Sequence, residues 1–100
     1  FPKHSLQDDV LWLEAQIHIK KRDYLKAVPL LEKIIADHKE EIRADNALYT
    51  LAGLYANPLQ LNDKDKAKTL YEKLFTEFSN STFAIDARKY YRILRGDKVQ

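Results

Sequence analysis

Apolar residues recur along this chain at spacings of three and four, the signature of helices with one buried face. The pattern is clearest from Ala67 to Phe78, where Leu70, Tyr71, Leu74, Phe75 and Phe78 form a wide stripe. The same design stands 40 residues earlier, as Ala27-Val28-Pro29-Leu30-Leu31-Glu32-Lys33-Ile34-Ile35. Three further stretches carry helical periodicity. Leu6, Val10, Leu13 and Ile17 make one stripe, widened by Leu11 and Ala15. The others run over about 41–56 and 83–95. Five helices are therefore expected, and the fold class is all-α.

Local signals set the expected ends. Ser5-Leu6-Gln7-Asp8 has the form of a capping box, so the first helix should run from Ser5 to about Lys21. Asp23 suits the cap of the second, about Tyr24 to His38, in which Pro29 removes the donor to the Leu25 carbonyl. Asn57-Pro58 ends the third, because the residue before proline is pushed out of helical space. Leu59 and Leu61 are expected to fold back onto the core. Asp63 caps the fourth helix, which should reach Phe78. Asn80-Ser81-Thr82 is expected to cap the fifth, about Phe83 to Arg95, and Gly96 to stop it. Residues 97–100 should fray.

Corresponding residues recur at fixed periods. Asp9, Asn46 and Asp86 each precede a small or β-branched residue (Val10, Ala47, Ala87), at intervals of 37 and 40 residues. Such periods belong to helical solenoids. Paired first with second and third with fourth, the helices resemble tetratricopeptide repeats. Leu48, Leu51, Ala52 and Tyr55, then Ala67, Tyr71 and Leu74, carry the resemblance in one repeat; Leu11, Ala15, Ala27, Leu31 and Ile34 carry it in the other. Asp23-Tyr24 resembles the family's inter-helix turn. Glu14 and His18 depart from the pattern at the places of Leu51 and Tyr55. Lys39 and Ser79 stand where a closing proline is common, a proline that Phe1-Pro2 keeps.

The resemblance implies a single domain over 1–100, with one repeat at about 5–38, a second at about 41–78 and a terminal cap helix at about 82–96. It also implies a short right-handed superhelix whose concave face is lined by the first helix of each pair. Matching positions then give a candidate groove of Asp9, Trp12, Gln16, Ile19 and Lys20; Asn46, Tyr49, Gly53 and Asn57; and Asp86, Lys89 and Ile93. Trp12 and Tyr49 would stand side by side as aromatic anchors with polar rims, an arrangement that holds peptides. The alternative is that Trp12 only packs against a neighbouring repeat. The ending Ala87 to Asp97 resembles the C-terminal end of bacterial cell-envelope repeat proteins of the Bacteroidota type. That resemblance implies non-enzymatic protein–protein scaffolding, at the periplasm or outer membrane.

Composition narrows the field. Hydrophobic residues make up 45% and charged residues 32% of 100 residues, a globular balance. Absence of cysteine removes disulfide, zinc-thiolate and thiol-nucleophile chemistry. No apolar run approaches the ~20 residues of a membrane span. The start at Phe1-Pro2-Lys3 is expected to be that of a fragment or processed product. A net charge of +2 is too small to argue for nucleic acid.

Candidate chemistry is sparse. His4, His18 and His38 lack metal-ligand spacing. Glu14 and His18, one turn apart, are expected to be a structural pair rather than a catalytic dyad. No phosphate loop, nucleophile elbow or HExxH motif is present, and no cofactor is implied. Arg88, Arg92 and Arg95, with Lys89, Lys98, Tyr90 and Tyr91, could contact nucleic acid. The alternative is helix-terminal charge paired with acids of the fourth helix, and we expect no nucleic-acid partner. Arg95-Gly96-Asp97 matches an adhesion tripeptide by chance, and Asn80-Ser81-Thr82 matches a glycosylation acceptor. The expected partner is a protein or peptide. Alternatively, the chain is the purely structural end of a longer solenoid, whose Leu6, Val10, Leu13 and Ile17 stripe an upstream repeat covers. Left open, that stripe would support a homodimer.

Overall fold

The computed structural model describes the backbone of residues 5–37 and 42–96, and the side chains of residues 9–36 and 44–96. Five helices follow one another: α1 (Ser5–Lys20), α2 (Tyr24–Asp37), α3 (Ile42–Ala56), α4 (Lys64–Glu77) and α5 (Ala84–Arg95). Each packs on the next, and α1 also touches α3. The result is an elongated all-helical body of 46 × 31 × 17 Å. The side chains of the Ser5–Asp8 capping box, and expectations for Phe1, Pro2, His4, His38, Lys39, Asp97 and Lys98, fall outside the described residues.

Local chemistry explains the helix ends. Arg22 adopts a left-handed conformation (φ 64°) after α1. The Asp23 amide then reaches back to the His18 carbonyl (2.8 Å), and the Arg22 amide to that of Ile19 (3.0 Å). This is a Schellman closure with arginine where glycine is usual. The Asp23 carbonyl accepts from the Lys26 and Ala27 amides. Helix α2 runs through Pro29; the orphaned carbonyl belongs to Leu25, which is 79% exposed and so open to water. The Asp63 side chain caps α4 by accepting from the Lys66 amide (3.2 Å). Gly96 ends α5 at φ 95°, donating to the Arg92 and Ile93 carbonyls.

Two expectations are corrected. The cap residue of α5 is Phe83, with no side-chain cap bond. Ser81 instead folds the approach, its hydroxyl accepting from the Phe83 amide (3.0 Å). Helices α1 and α4 end at Lys20 and Glu77, within a residue of their expected ends, and Phe78 is the C-cap of α4. Leu59 is 89% exposed, whereas Leu61 packs against the core. The reason is backbone pairing: the Leu61 amide bonds to the Leu54 carbonyl (3.0 Å), drawing Leu61 inward, while the Leu59 amide is held by the Asn57 side chain (2.8 Å) in an Asx turn.

The core is a row of large residues between small ones. Leu31, Ile34, Leu48, Leu51 and Leu74 are fully buried. Ala15, Ala27, Ala47, Ala52, Ala67 and Ala87 are also sealed from solvent, and let the helices approach closely. Full burial of one leucine side chain contributes about 1.5–3 kcal/mol. Helix α1 meets this core through Leu11 and Ala15. Val10, Leu13 and Ile17 face away, at 49%, 60% and 51% exposure. One repeat later, the equivalents of Val10 and Ile17 are Ala47 and Leu54, both buried.

The opposite end is built differently. Leu48, Ala52 and Tyr55 are core residues of α3, but 40 residues on their equivalents in α5 are Arg88, Arg92 and Arg95, all exposed. Arg88 lies over the Phe75 ring (5.2 Å to the centroid) and Arg95 over Tyr91 (5.2 Å). The expected pairing of this row with acids of the fourth helix is thus replaced, at Arg88, by a cation–π contact with that helix. Charge closes the α5 end, whereas apolar side chains leave the α1 end open.

Candidate functional site

The candidate groove residues take their positions from helical spacing. Asp9, Trp12, Gln16, Ile19 and Lys20 fall along one side of α1; Asn46, Tyr49, Gly53 and Asn57 fall along one side of α3. Trp12 and Ile19 are half-buried and packed against the shared core, while Asp9 and Lys20 are exposed. Asn46 and Gln16 are half-buried. Asn57 is committed to the turn after α3, where its side chain holds the Leu59 amide.

Tyr49 is the centre of an aromatic row. Its ring stacks on Phe83 (centroids 4.7 Å apart, 21° between planes) and meets Tyr71 edge-on (6.2 Å, 68°). Tyr71 in turn lies against Tyr90 (5.6 Å, 31°). Four rings from α3, α4, the α4–α5 loop and α5 are therefore contiguous. Gly53, one turn along α3 from Tyr49, leaves room beside this row: a Cβ there would sit 4.0 Å from the Tyr71 hydroxyl.

Two phenols of the row, Tyr49 and Tyr71, hold their protons more tightly than a free tyrosine. Burial pushes Tyr71 up to about 12, and the Tyr49 and Tyr90 phenols add to the effect. Tyr49 is raised too, by burial first and then by the nearby Tyr90 and Asp86 charges. Lys89 lines a separate cleft of about 370 Å³ with Phe75, Ile85, Arg88 and Arg92. Ile93 is 46% exposed.

Sequence reasoning placed Tyr71 in the core and Tyr90 beside the basic patch. It did not join them to Tyr49, nor give Phe83 a part. The available signal was the interval from Tyr49 to Tyr90, one repeat plus one residue, which places Tyr90 on α5 next to the repeat equivalent of Tyr49.

Other features are weaker as sites. A cleft of about 370 Å³ between α2 and α4 has Ile35, Leu51, Tyr55 and Leu70 as its apolar lining, with Lys66 over the Tyr55 ring (5.4 Å). The Nδ1 atom of His18 is buried without a hydrogen-bond partner among the described residues. No group of three or more metal-ligating side chains occurs among them. None of the described helices is long and apolar enough to cross a membrane.

Comparison with known proteins agrees with this architecture. Residues 46–81, spanning α3, α4 and the start of the next connection, match the tetratricopeptide repeat family. Neither the curated proteins nor the solved structures give a match. That family is a scaffold family, typically non-enzymatic, whose domains mediate protein–protein interaction. The matched segment, with its helical hairpin and the alanines buried along it, is thus similar to one tetratricopeptide repeat.

Proposed function

We propose that the chain is a protein-interaction scaffold whose α1, α3 and α5 side holds a peptide segment of a partner. The observation that carries this reading is the aromatic row centred on Tyr49. It is fixed by stacking on Phe83 and flanked by polar Asn46 and Asp86. Rigid aromatic anchors lose little conformational entropy on binding and dominate interface energetics. Trp12, Gln16, Ile19 and Lys20 would extend the surface along α1, with Asp9 at one end. An envelope setting rests on the resemblance of the 87–97 ending alone.

The test is a peptide library screened against the wild-type protein, followed by titration of the selected peptides against Trp12→Ala and Tyr49→Ala variants. The reading expects each substitution to weaken binding by more than about tenfold, the scale of a hot-spot residue, with the helical circular-dichroism signal kept. Unchanged affinity in both folded variants would remove the groove.

A second reading is favoured by the open face of α1. Val10, Leu13 and Ile17 form an exposed apolar stripe at positions whose repeat equivalents include buried Ala47 and Leu54. This face suits a further helix, either from a preceding repeat or from a second copy of the chain. Sedimentation of the wild type beside a Leu13→Lys variant decides the second case: a dimer lost in the variant supports it, and a monomer in both removes it.

A further inference from the structure

We propose that the α5 face carrying Asp86 and Tyr90, next to the aromatic row, receives one cationic side chain of the partner segment, an arginine by preference; this rests on the concave-face reading above. Asp86 is exposed and has no ion-pair partner among the described residues. Its charge reaches the Tyr49 phenol. Tyr90 lies one turn further along α5, with 38% of its surface exposed and its ring lying against Tyr71. The cations nearest in sequence, Arg88 and Lys89, line the cleft beside Phe75 instead. This face therefore presents an exposed carboxylate one helical turn from a ring of the aromatic row.

This combination selects by charge. A guanidinium is weakly hydrated, stacks on aromatic faces and donates two parallel hydrogen bonds to a carboxylate. A ligand carboxylate would instead meet the like charge of Asp86. Gly53 contributes space: a Cβ there would lie 4.0 Å from the Tyr71 hydroxyl. The Tyr49–Phe83 stack holds the Tyr49 ring in place, so little ordering remains to be done on binding.

The experiment is an NMR titration of the whole chain with N-acetyl-arginine amide, its neutral isostere N-acetyl-citrulline amide, and N-acetyl-glutamate amide. Expected are saturable shifts at Tyr49, Gly53, Asp86 and Tyr90 with the arginine probe. Binding should be weaker by about fivefold or more for citrulline and for Asp86→Asn, and absent for glutamate. Equal binding of arginine and citrulline, or arginine binding untouched by Asp86→Asn, would overturn the proposal. The two readings fail differently. A library-selected peptide that loses affinity in Tyr49→Ala but not in Asp86→Asn keeps the groove and removes the cation site. A peptide indifferent to both removes the groove as well.

Discussion

The Ser81 hydroxyl donates a 2.5 Å hydrogen bond to the carboxylate of Asp45, 36 residues away in sequence. The contact ties the first turn of α3 to the loop between α4 and α5. Because Ser81 also accepts from the Phe83 amide, it sets the path by which Phe83 arrives beneath Tyr49. The other oxygen of Asp45 is buried without a hydrogen-bond partner among the described residues. The carboxylate is therefore costly to leave unpaired.

Ser81→Ala is expected to lower stability by about 1.5–3 kcal/mol, the range for a hydrogen bond to a charged group. Urea unfolding gives the value. A double-mutant cycle with Asp45→Ala separates the pair from its surroundings. Strict additivity would mean that the bond contributes nothing beyond each side chain alone.

Tyr71 makes stability depend on alkaline pH. Its folded pKa of about 12 lies above the ordinary value of 10.0, so the folded state holds the proton more tightly than the unfolded state. The stabilising contribution is complete below pH 10 and is lost as pH rises toward about 12. Thermal melts between these limits should show a falling midpoint, with a smaller fall in Tyr71→Phe. In spectrophotometric titration the same variant should lack a late-ionising phenol. An identical alkaline profile in the two proteins would contradict this assignment.

Arg22 is a position where substitution should stabilise. A non-glycine residue in the left-handed region carries a cost of about 1–2 kcal/mol, and Arg22 sits there at φ 64°. Arg22→Gly relieves this strain but adds freedom to the unfolded chain. The net expectation is a gain of about 0.5–1 kcal/mol, read as a higher melting temperature. A loss would show that the arginine side chain itself supports the turn.

The arginines of α5 should keep that end of the repeat array closed. Replacing Arg88, Arg92 and Arg95 by Leu, Ala and Tyr, the residues one repeat earlier, creates a contiguous apolar face. Concentration-dependent self-association in sedimentation velocity is the expected outcome. A variant as monodisperse as the wild type would show that these charges do not limit assembly.

Much of this molecule was legible from its sequence because the deciding forces are local. Asn57-Pro58, Asp63 and Gly96 act on the backbone within a turn of themselves, and each ends or starts a helix where expected. The repeat phase also survived: Ala15 and Ala52, one period apart, are both sealed from solvent, as are Ala47 and Ala87. Leu59 and Leu61 were harder. Both are leucines in one loop, and only the Leu61–Leu54 backbone bond separates the buried residue from the exposed one.

The candidate site divides the same way. Sequence alone determined five helices, their period and the set of positions sharing a side with Tyr49, because periodicity follows from 3.6 residues per turn. It also showed that α1 carries apolar residues on two sides, through Leu11 and Ala15 and through Val10, Leu13 and Ile17. Which side meets the core could not be decided there, since both satisfy helical spacing. Tertiary structure decided it, by burying Leu11 and Ala15 in the shared core and leaving Val10, Leu13 and Ile17 exposed. It also brought Tyr49, Tyr71, Phe83 and Tyr90 into one row from four separate segments. Such a meeting depends on how helices cross, and crossing is fixed by the summed packing of the whole core rather than by any neighbouring residue.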